Sequence, residues 1–106
     1  MNIIIQNCLD SGSDNIELMG NHVETTLGMP RSKRSHPDWR TNVSMKDFKN
    51  VKKQFKNQGI NIFAYKPYCM KPNNSDGEVE YAMKATKALG ADYLTCLLYT
   101  SDAADE

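Results

Sequence analysis

One unit occurs three times along this chain: a helical segment, a glycine that ends it, and an apolar strand. The glycines are Gly12, Gly59 and Gly90, and glycine readily adopts the left-handed conformation that ends a helix. The last two lie 31 residues apart, a usual length for one helix–strand step of a parallel sheet. Successive right-handed crossovers place such strands parallel, so we expect an α/β fold of order α-β-α-β-α-β.

The predicted helices span residues 2–10, 44–58 and 75–89. The second is the clearest, because Ser44 and Asp47 form a capping-box pattern and four apolar residues recur at helical spacing: Met45, Phe48, Val51 and Phe55. Its lysines favour a solvated surface over a binding patch: Lys46, Lys49, Lys52, Lys53 and Lys56. The third helix begins with a second capping box and is predicted to point five residues inward: Val79, Ala82, Met83, Thr86 and Leu89.

The predicted strands span residues 15–19, 60–65 and 93–96. In the second, alternation places Ile60, Ile62 and Ala64 on one side and Phe63 and Tyr65 on the other. Both sides are largely apolar, as in a parallel strand that is covered on both faces. The repeated order predicts about three eighths of a (β/α)8 barrel, also called a TIM barrel. An open doubly wound sheet is disfavoured, because no glycine-rich phosphate loop follows any strand.

Polar residues follow the apolar part of the first two strands. Glu17 lies within the first strand, and Asn21 and His22 follow it. Tyr65 and Lys66 end the second strand. Because side chains at the carboxyl ends of parallel strands point into a crevice, we expect these five residues on the substrate side of a site. The alternative is an ordinary polar loop, in which His22 makes a structural hydrogen bond.

Residues 20–43 show neither helical nor strand periodicity and are predicted to form a long loop. The loop carries a basic run at 31–34, followed by Trp39 and Arg40. Such a loop could grip a phosphate or a nucleic acid. The charge pattern favours instead a solvated loop that is anchored by its one tryptophan, so nucleic acid is not the expected partner.

The remaining composition is that of a soluble cytoplasmic protein. The longest apolar runs are too short to span a bilayer, and no membrane partner is expected. Three widely spaced cysteines, Cys8, Cys69 and Cys96, predict reduced thiols rather than a zinc site or a disulfide framework.

Three stretches resemble the xylose-isomerase-like TIM barrels: IELMGNHVE at 16–24, FKNQGINIFAY at 55–65 and EVEYAMKATKALGAD at 78–92. Within these barrels the resemblance is to the sugar phosphate isomerases/epimerases, and it covers residues 2 to about 95. By the resemblance, residues 1–95 hold strands two, three and four of the barrel. Strand one and the strands that usually bind the metal are absent from the sequence.

The resemblance implies an enzyme of carbohydrate metabolism that moves a proton next to a sugar carbonyl. In such enzymes a divalent metal polarises the substrate oxygens, and carboxylates act as acid and base. Because the metal-binding strands are absent, we assign no catalytic residue and no metal ligand here, and expect no cofactor in this chain. We expect a sugar or sugar phosphate as the ligand of the parent enzyme, and an inactive fragment.

Two other classes share this barrel. The parent could be a zinc phosphodiesterase of the endonuclease IV type, which would need histidines at several strand ends, where this chain offers only His22. It could also be a non-catalytic barrel that binds a sugar or a protein. In each case the open edges of a partial barrel favour weak folding or self-association of the isolated chain.

Residues 96–106 differ from the rest. The sequence CLLYTSDAADE resembles a reading-frame translation of a transposase-type sequencing adapter, so we expect a non-native tail. The alternative is a natural acidic terminus.

Overall fold

The computed structural model of the chain describes residues 1–95. The predictions for residues 96–106, including Cys96 and the adapter-like tail, lie outside this part. The helices are α1 (Asn2–Asp10), α2 (Gly20–Thr26), a short 3-10 helix (Lys33–Ser35), α3 (His36–Asn42), α4 (Met45–Asn57) and α5 (Asp76–Ala88). The strands are β1 (Asn15–Met19), β2 (Asn61–Lys66) and β3 (Tyr93–Leu94).

The strands form one parallel sheet in the order β1-β2-β3, with β2 in the centre. The predicted α/β class, the three helix–strand units and the parallel direction of the strands are confirmed. Gly12, Gly59 and Gly90 all have positive φ angles, as predicted for residues that end helices.

The register between β1 and β2 shifts at one position. Ile16 pairs with Ile62, but Glu17 pairs with Ala64, so Phe63 is an additional residue opposite β1. A β-bulge of this kind changes which side of the sheet the following residues face. The prediction that Ile62 and Ala64 share a side is therefore wrong: Ile62 pairs with Ile16 and packs in the core, whereas Ala64, although also buried, pairs with Glu17.

The core lies between the helices and the side of the sheet that carries Leu18 and Tyr65. Helix α4 contributes Phe48, Val51 and Phe55, as its apolar stripe predicts. Helix α5 and the residue that follows it bury Ala82, Thr86 and Leu89, as predicted. The helix also buries Glu78, Tyr81 and Ala85, while Met83 is 58% exposed, so the inward assignment of Met83 is wrong.

The prediction of a long loop at residues 20–43 is also wrong. The segment folds into α2, the 3-10 helix and α3, which are too short to show a helical period in the sequence. Trp39 packs edge-on against Tyr81, with 6.4 Å between the ring centroids, so its predicted anchoring role is confirmed. Among residues 1–95, no helix combines the length and the apolar character that a membrane span requires.

The capping box that opens α5 is present. Ser75 Oγ accepts a hydrogen bond from the Glu78 backbone N–H, and a Glu78 carboxylate oxygen accepts one from the Ser75 backbone N–H. We expect Ser75→Ala to lower the free energy of unfolding by about 1 kcal/mol, since it removes the cap. Urea unfolding followed by circular dichroism measures the change. Thr26→Ala, at the exposed end of α2, is the control, and equal stability of Ser75→Ala and the wild type would contradict the role of the cap.

Candidate functional site

Within residues 1–95, the side of the sheet opposite Leu18 and Tyr65 carries exposed side chains, and we call it the open side. Glu17, Ala64 and Tyr93 lie in one row across the three strands, since Glu17 pairs with Ala64 and Ala64 pairs with Tyr93. Glu17 is exposed, and Tyr93 is 68% exposed. A carboxylate and an aromatic ring thus stand on either side of the small Ala64.

Glu17 is hydrogen-bonded across this side of the sheet. Thr95, which directly follows β3, donates from Oγ1 to Glu17 Oε2 at 2.6 Å. Because β1 and β3 flank β2 at about 10 Å from each other, the two side chains meet over the central strand. The methyl group of Ala64 leaves room for this contact. Glu17 is therefore an accessible carboxylate held in place by one hydroxyl donor.

Lys66 pairs with Met19, two rows further toward the carboxyl ends of the strands than the pair of Glu17 and Ala64. The row between them, Leu18 and Tyr65, belongs to the core, so alternation puts Lys66 on the open side with Glu17. Lys66 is half-buried, and its backbone carbonyl lies close to Gly20. Two of the five predicted site residues thus share the open side.

Asn21 and His22 lie elsewhere. They belong to the first turn of α2 and face a groove of about 660 Å³ between α1 and α2, together with Thr25 and residues of α1 that include Asn7. Both are exposed. Both residues directly follow the end of β1, as the sequence indicates. However, α2 starts at Gly20 and directs their side chains toward α1.

Tyr65 is fully buried on the helix side of the sheet. Its hydroxyl has no hydrogen-bond partner among residues 1–95. Burial, followed by the negative charge of Glu24, raises the pKa of Tyr65 well above its ordinary value. Tyr65 therefore stays neutral and cannot act as a phenolate base.

A buried ionic network lies beside Tyr65, and four residues form it: Glu24, Arg40, Glu78 and Tyr81. Arg40 donates to both carboxylate oxygens of Glu24, at 2.8 and 3.2 Å, and to Glu78 Oε2 at 2.7 Å. Tyr81 donates to Glu24 Oε2 at 2.9 Å. The three charged side chains are each less than 10% exposed. A forked guanidinium suits this arrangement, since it binds one carboxylate with two donors and another with a third.

The network shifts the pKa values of its members. Burial alone would lower the pKa of Arg40, but its hydrogen bonds with Glu24 and Glu78 outweigh burial, so the pKa is raised and the cation is permanent. Burial would raise the pKa of Glu78, yet the hydrogen bonds from Arg40, Ser75 and Asn74 lower it. Burial also raises the pKa of the Cys69 thiol to about 12, which keeps it protonated and unreactive.

This network ties the 20–43 segment to α5, because Glu24 comes from α2, Arg40 from α3 and Glu78 from α5. Sequence reasoning missed it. The charge pattern predicts Arg40 in a solvated basic loop, but the side chain is buried, with 8% exposed. One feature of the sequence could have indicated burial of Arg40: it directly follows Trp39, which is predicted to anchor this segment to the rest of the fold.

The chain has no match among protein-family models, curated proteins or solved structures. Among residues 1–95, no three histidine, cysteine, aspartate or glutamate side chains are grouped so that they could hold a metal ion. The α/β class is therefore as far as fold and site identify this chain.

Proposed function

We propose that this chain is part of a sugar or sugar phosphate isomerase/epimerase with a (β/α)8 barrel, and that the open side of the sheet faces the substrate. The resemblance at residues 16–24, 55–65 and 78–92 supports the family. The observation that carries the proposal for the site is the Glu17–Thr95 hydrogen bond over Ala64, beside an exposed Tyr93.

The open side suits a polyhydroxylated ligand. The Glu17 carboxylate accepts hydrogen bonds from hydroxyl groups, and Lys66 donates to hydroxyl or phosphate oxygens. Tyr93 adds a flat apolar surface with a polar tip, against which the carbon face of a sugar ring can pack. A carboxylate that is reachable by solvent and oriented by a hydroxyl donor can also take up a proton beside a carbonyl.

A divalent metal is part of the proposal for the parent enzyme through the resemblance alone. The residues on the open side of this chain do not form a ligand set, because Glu17 is the one carboxylate in the row that the structure describes there. In the proposal, Glu17, Thr95, Lys66 and Tyr93 therefore hold and orient the substrate.

A binding titration tests this proposal. The isotopically labelled chain is titrated with a ketose phosphate, the matching free ketose and inorganic phosphate, and amide and side-chain shifts are followed by two-dimensional NMR. We expect weak, saturable shifts at Glu17, Lys66, Tyr93 and Thr95. Glu17→Gln should weaken binding by about tenfold, since a hydrogen bond to a charged group contributes about 1.5–3 kcal/mol.

The matched control is Glu80→Gln, which neutralises an exposed carboxylate on α5 that pairs with Lys84. It should leave the affinity unchanged. Shifts that spread over the helices but spare the open side would contradict the proposed site. Equal affinity for inorganic phosphate and the ketose phosphate would contradict recognition of the sugar.

A further inference from the structure

A second surface carries an unusual density of positive charge. Helices α4 and α5 pack side by side, and between them lies an open groove of about 580 Å³, which we call the lysine groove. Met45 and Ala88 line it together with six lysines: Lys49, Lys52, Lys53, Lys56, Lys84 and Lys87. The helices separate this groove from the open side of the sheet.

Within residues 1–95, the lysine groove has almost no compensating charge. Lys84 alone forms a salt bridge there, at 3.0 Å to Glu80, and both side chains of that pair are exposed. The lysines of α4 repeat at three- and four-residue spacing, so Lys49 faces Lys53 and Lys52 faces Lys56 on the helix surface. Like charges at this spacing repel each other and destabilise a helix.

The helix dipole accounts for the position of two of these lysines. Lys56 and Lys87 lie in the last turns of their helices, where a cation is favourable. Lys49, Lys52 and Lys53 lie before the last turn. Lys52 reaches the turn that follows α5, where a Cβ built on Gly90 would lie 2.7 Å from Lys52 Cε. The ammonium groups of both helices are thus brought to one groove.

We propose that the lysine groove binds an acidic, amphipathic helix of a partner protein. A groove between two adjacent helices accepts the ridge of a third, and the apolar lining from Met45, Ala88 and the lysine methylene groups matches a narrow apolar stripe. The lysines on both rims match acidic residues that flank such a stripe. A nucleic acid fits less well, because the residues that line the groove include no arginine and no aromatic ring for base stacking. This proposal does not depend on the proposed enzymatic function.

The test uses a labelled synthetic peptide in which a leucine and alanine stripe is flanked by glutamates on a helix. Fluorescence anisotropy with the full chain should show saturable binding that weakens at higher salt. The triple variant Lys49→Gln, Lys53→Gln and Lys87→Gln should bind about tenfold more weakly, since each exposed pair contributes modestly. The matched control removes three exposed charges from another segment: Arg31→Gln, Lys33→Gln and Arg34→Gln.

Four results would overturn the proposal. A scrambled peptide of equal charge could bind equally well, or the control triple could weaken binding as much as the lysine triple. A DNA duplex could bind more tightly than the peptide and lose affinity in the lysine triple. Binding could also require neutralisation of Asp102, Asp105 and Glu106, which would make the chain's own acidic residues the occupant. Selective loss in the lysine triple alone supports the groove.

Discussion

Arg40→Ala should destabilise the fold by about 3–5 kcal/mol, because removing one partner of a buried ion pair leaves uncompensated charge. Here two carboxylates, Glu24 and Glu78, would lose their cation together. A domain of this size has a total stability of about 5–15 kcal/mol, so this loss is a large share of the total. Urea unfolding followed by circular dichroism measures the loss.

Two further variants keep this prediction testable if Arg40→Ala does not fold. Arg40→Lys retains the charge but not the planar fork, so it should lose less stability than the alanine variant. Arg34→Ala removes an exposed arginine of the same segment and should change stability by less than about 0.5 kcal/mol. Arg40→Ala as stable as Arg34→Ala would show that the network is dispensable.

The stability of the wild type should depend more steeply on pH in the acidic range than the stability of Arg40→Ala. In the wild type the pKa of Glu78 is lowered, so its contribution to stability is present above the ordinary glutamate pKa. That contribution is lost as the pH falls through the lowered pKa of the folded state. Without Arg40, the hydrogen bonds from Ser75 and Asn74 alone oppose burial, so the pKa of Glu78 should rise and the variant should lose less stability than the wild type as the pH falls. Parallel pH profiles would contradict this account of Glu78.

Gly20→Ala is expected to have the second large effect, a loss of about 1–3 kcal/mol through overpacking. A Cβ on Gly20 would lie 2.9 Å from both the Lys66 carbonyl oxygen and the Pro67 Cα. Both are backbone atoms, so they cannot rotate away as the tip of a side chain could. Helix propensity favours alanine over glycine by about 1 kcal/mol, so the prediction depends on the clash exceeding that gain.

Thermal unfolding of Gly20→Ala tests this close approach of the β1–α2 junction to the end of β2. Thr25→Ala, an exposed position on the same helix, is the control and should be neutral or slightly stabilising. If Gly20→Ala melted at or above the temperature of the wild type, the junction would have to be looser than the distances to Lys66 and Pro67 indicate.

The sequence was most informative where a pattern extends over several turns. Helix α4 was predicted from an apolar stripe that includes Phe48 and Phe55 and from the cap at Ser44, whose side chain accepts from the Lys46 backbone N–H. The parallel sheet followed from the spacing of the helix-ending glycines. Both depend on local rules that tertiary contacts reinforce here.

The failures have physical causes of a different kind. Helices α2 and α3 have seven residues each, too few for a period to be read. The bulge at Phe63 depends on how β2 pairs with β1, which no single strand reveals. The partners of Arg40 lie 16 and 38 residues away, so the buried network could not be found from local spacing.

The candidate site was predicted in part. Glu17 and Lys66 share the open side of the sheet, while Tyr65 belongs to the core and Asn21 and His22 face α1. Strand alternation separates Tyr65 from Lys66, although they are neighbours in the chain.

The size of the residue at position 64 has a consequence for the shape of the open side. Because Ala64 carries only a methyl group, the side chains of Glu17 and Thr95 can reach each other across the central strand and form one hydrogen-bonded pair. A valine or leucine there would act as a wedge between them and leave two separate polar groups with an apolar ridge in the middle. A single substitution of Ala64 would thus change both the shape of this surface and the arrangement of its hydrogen-bonding groups, while Glu17 and Thr95 themselves stay the same.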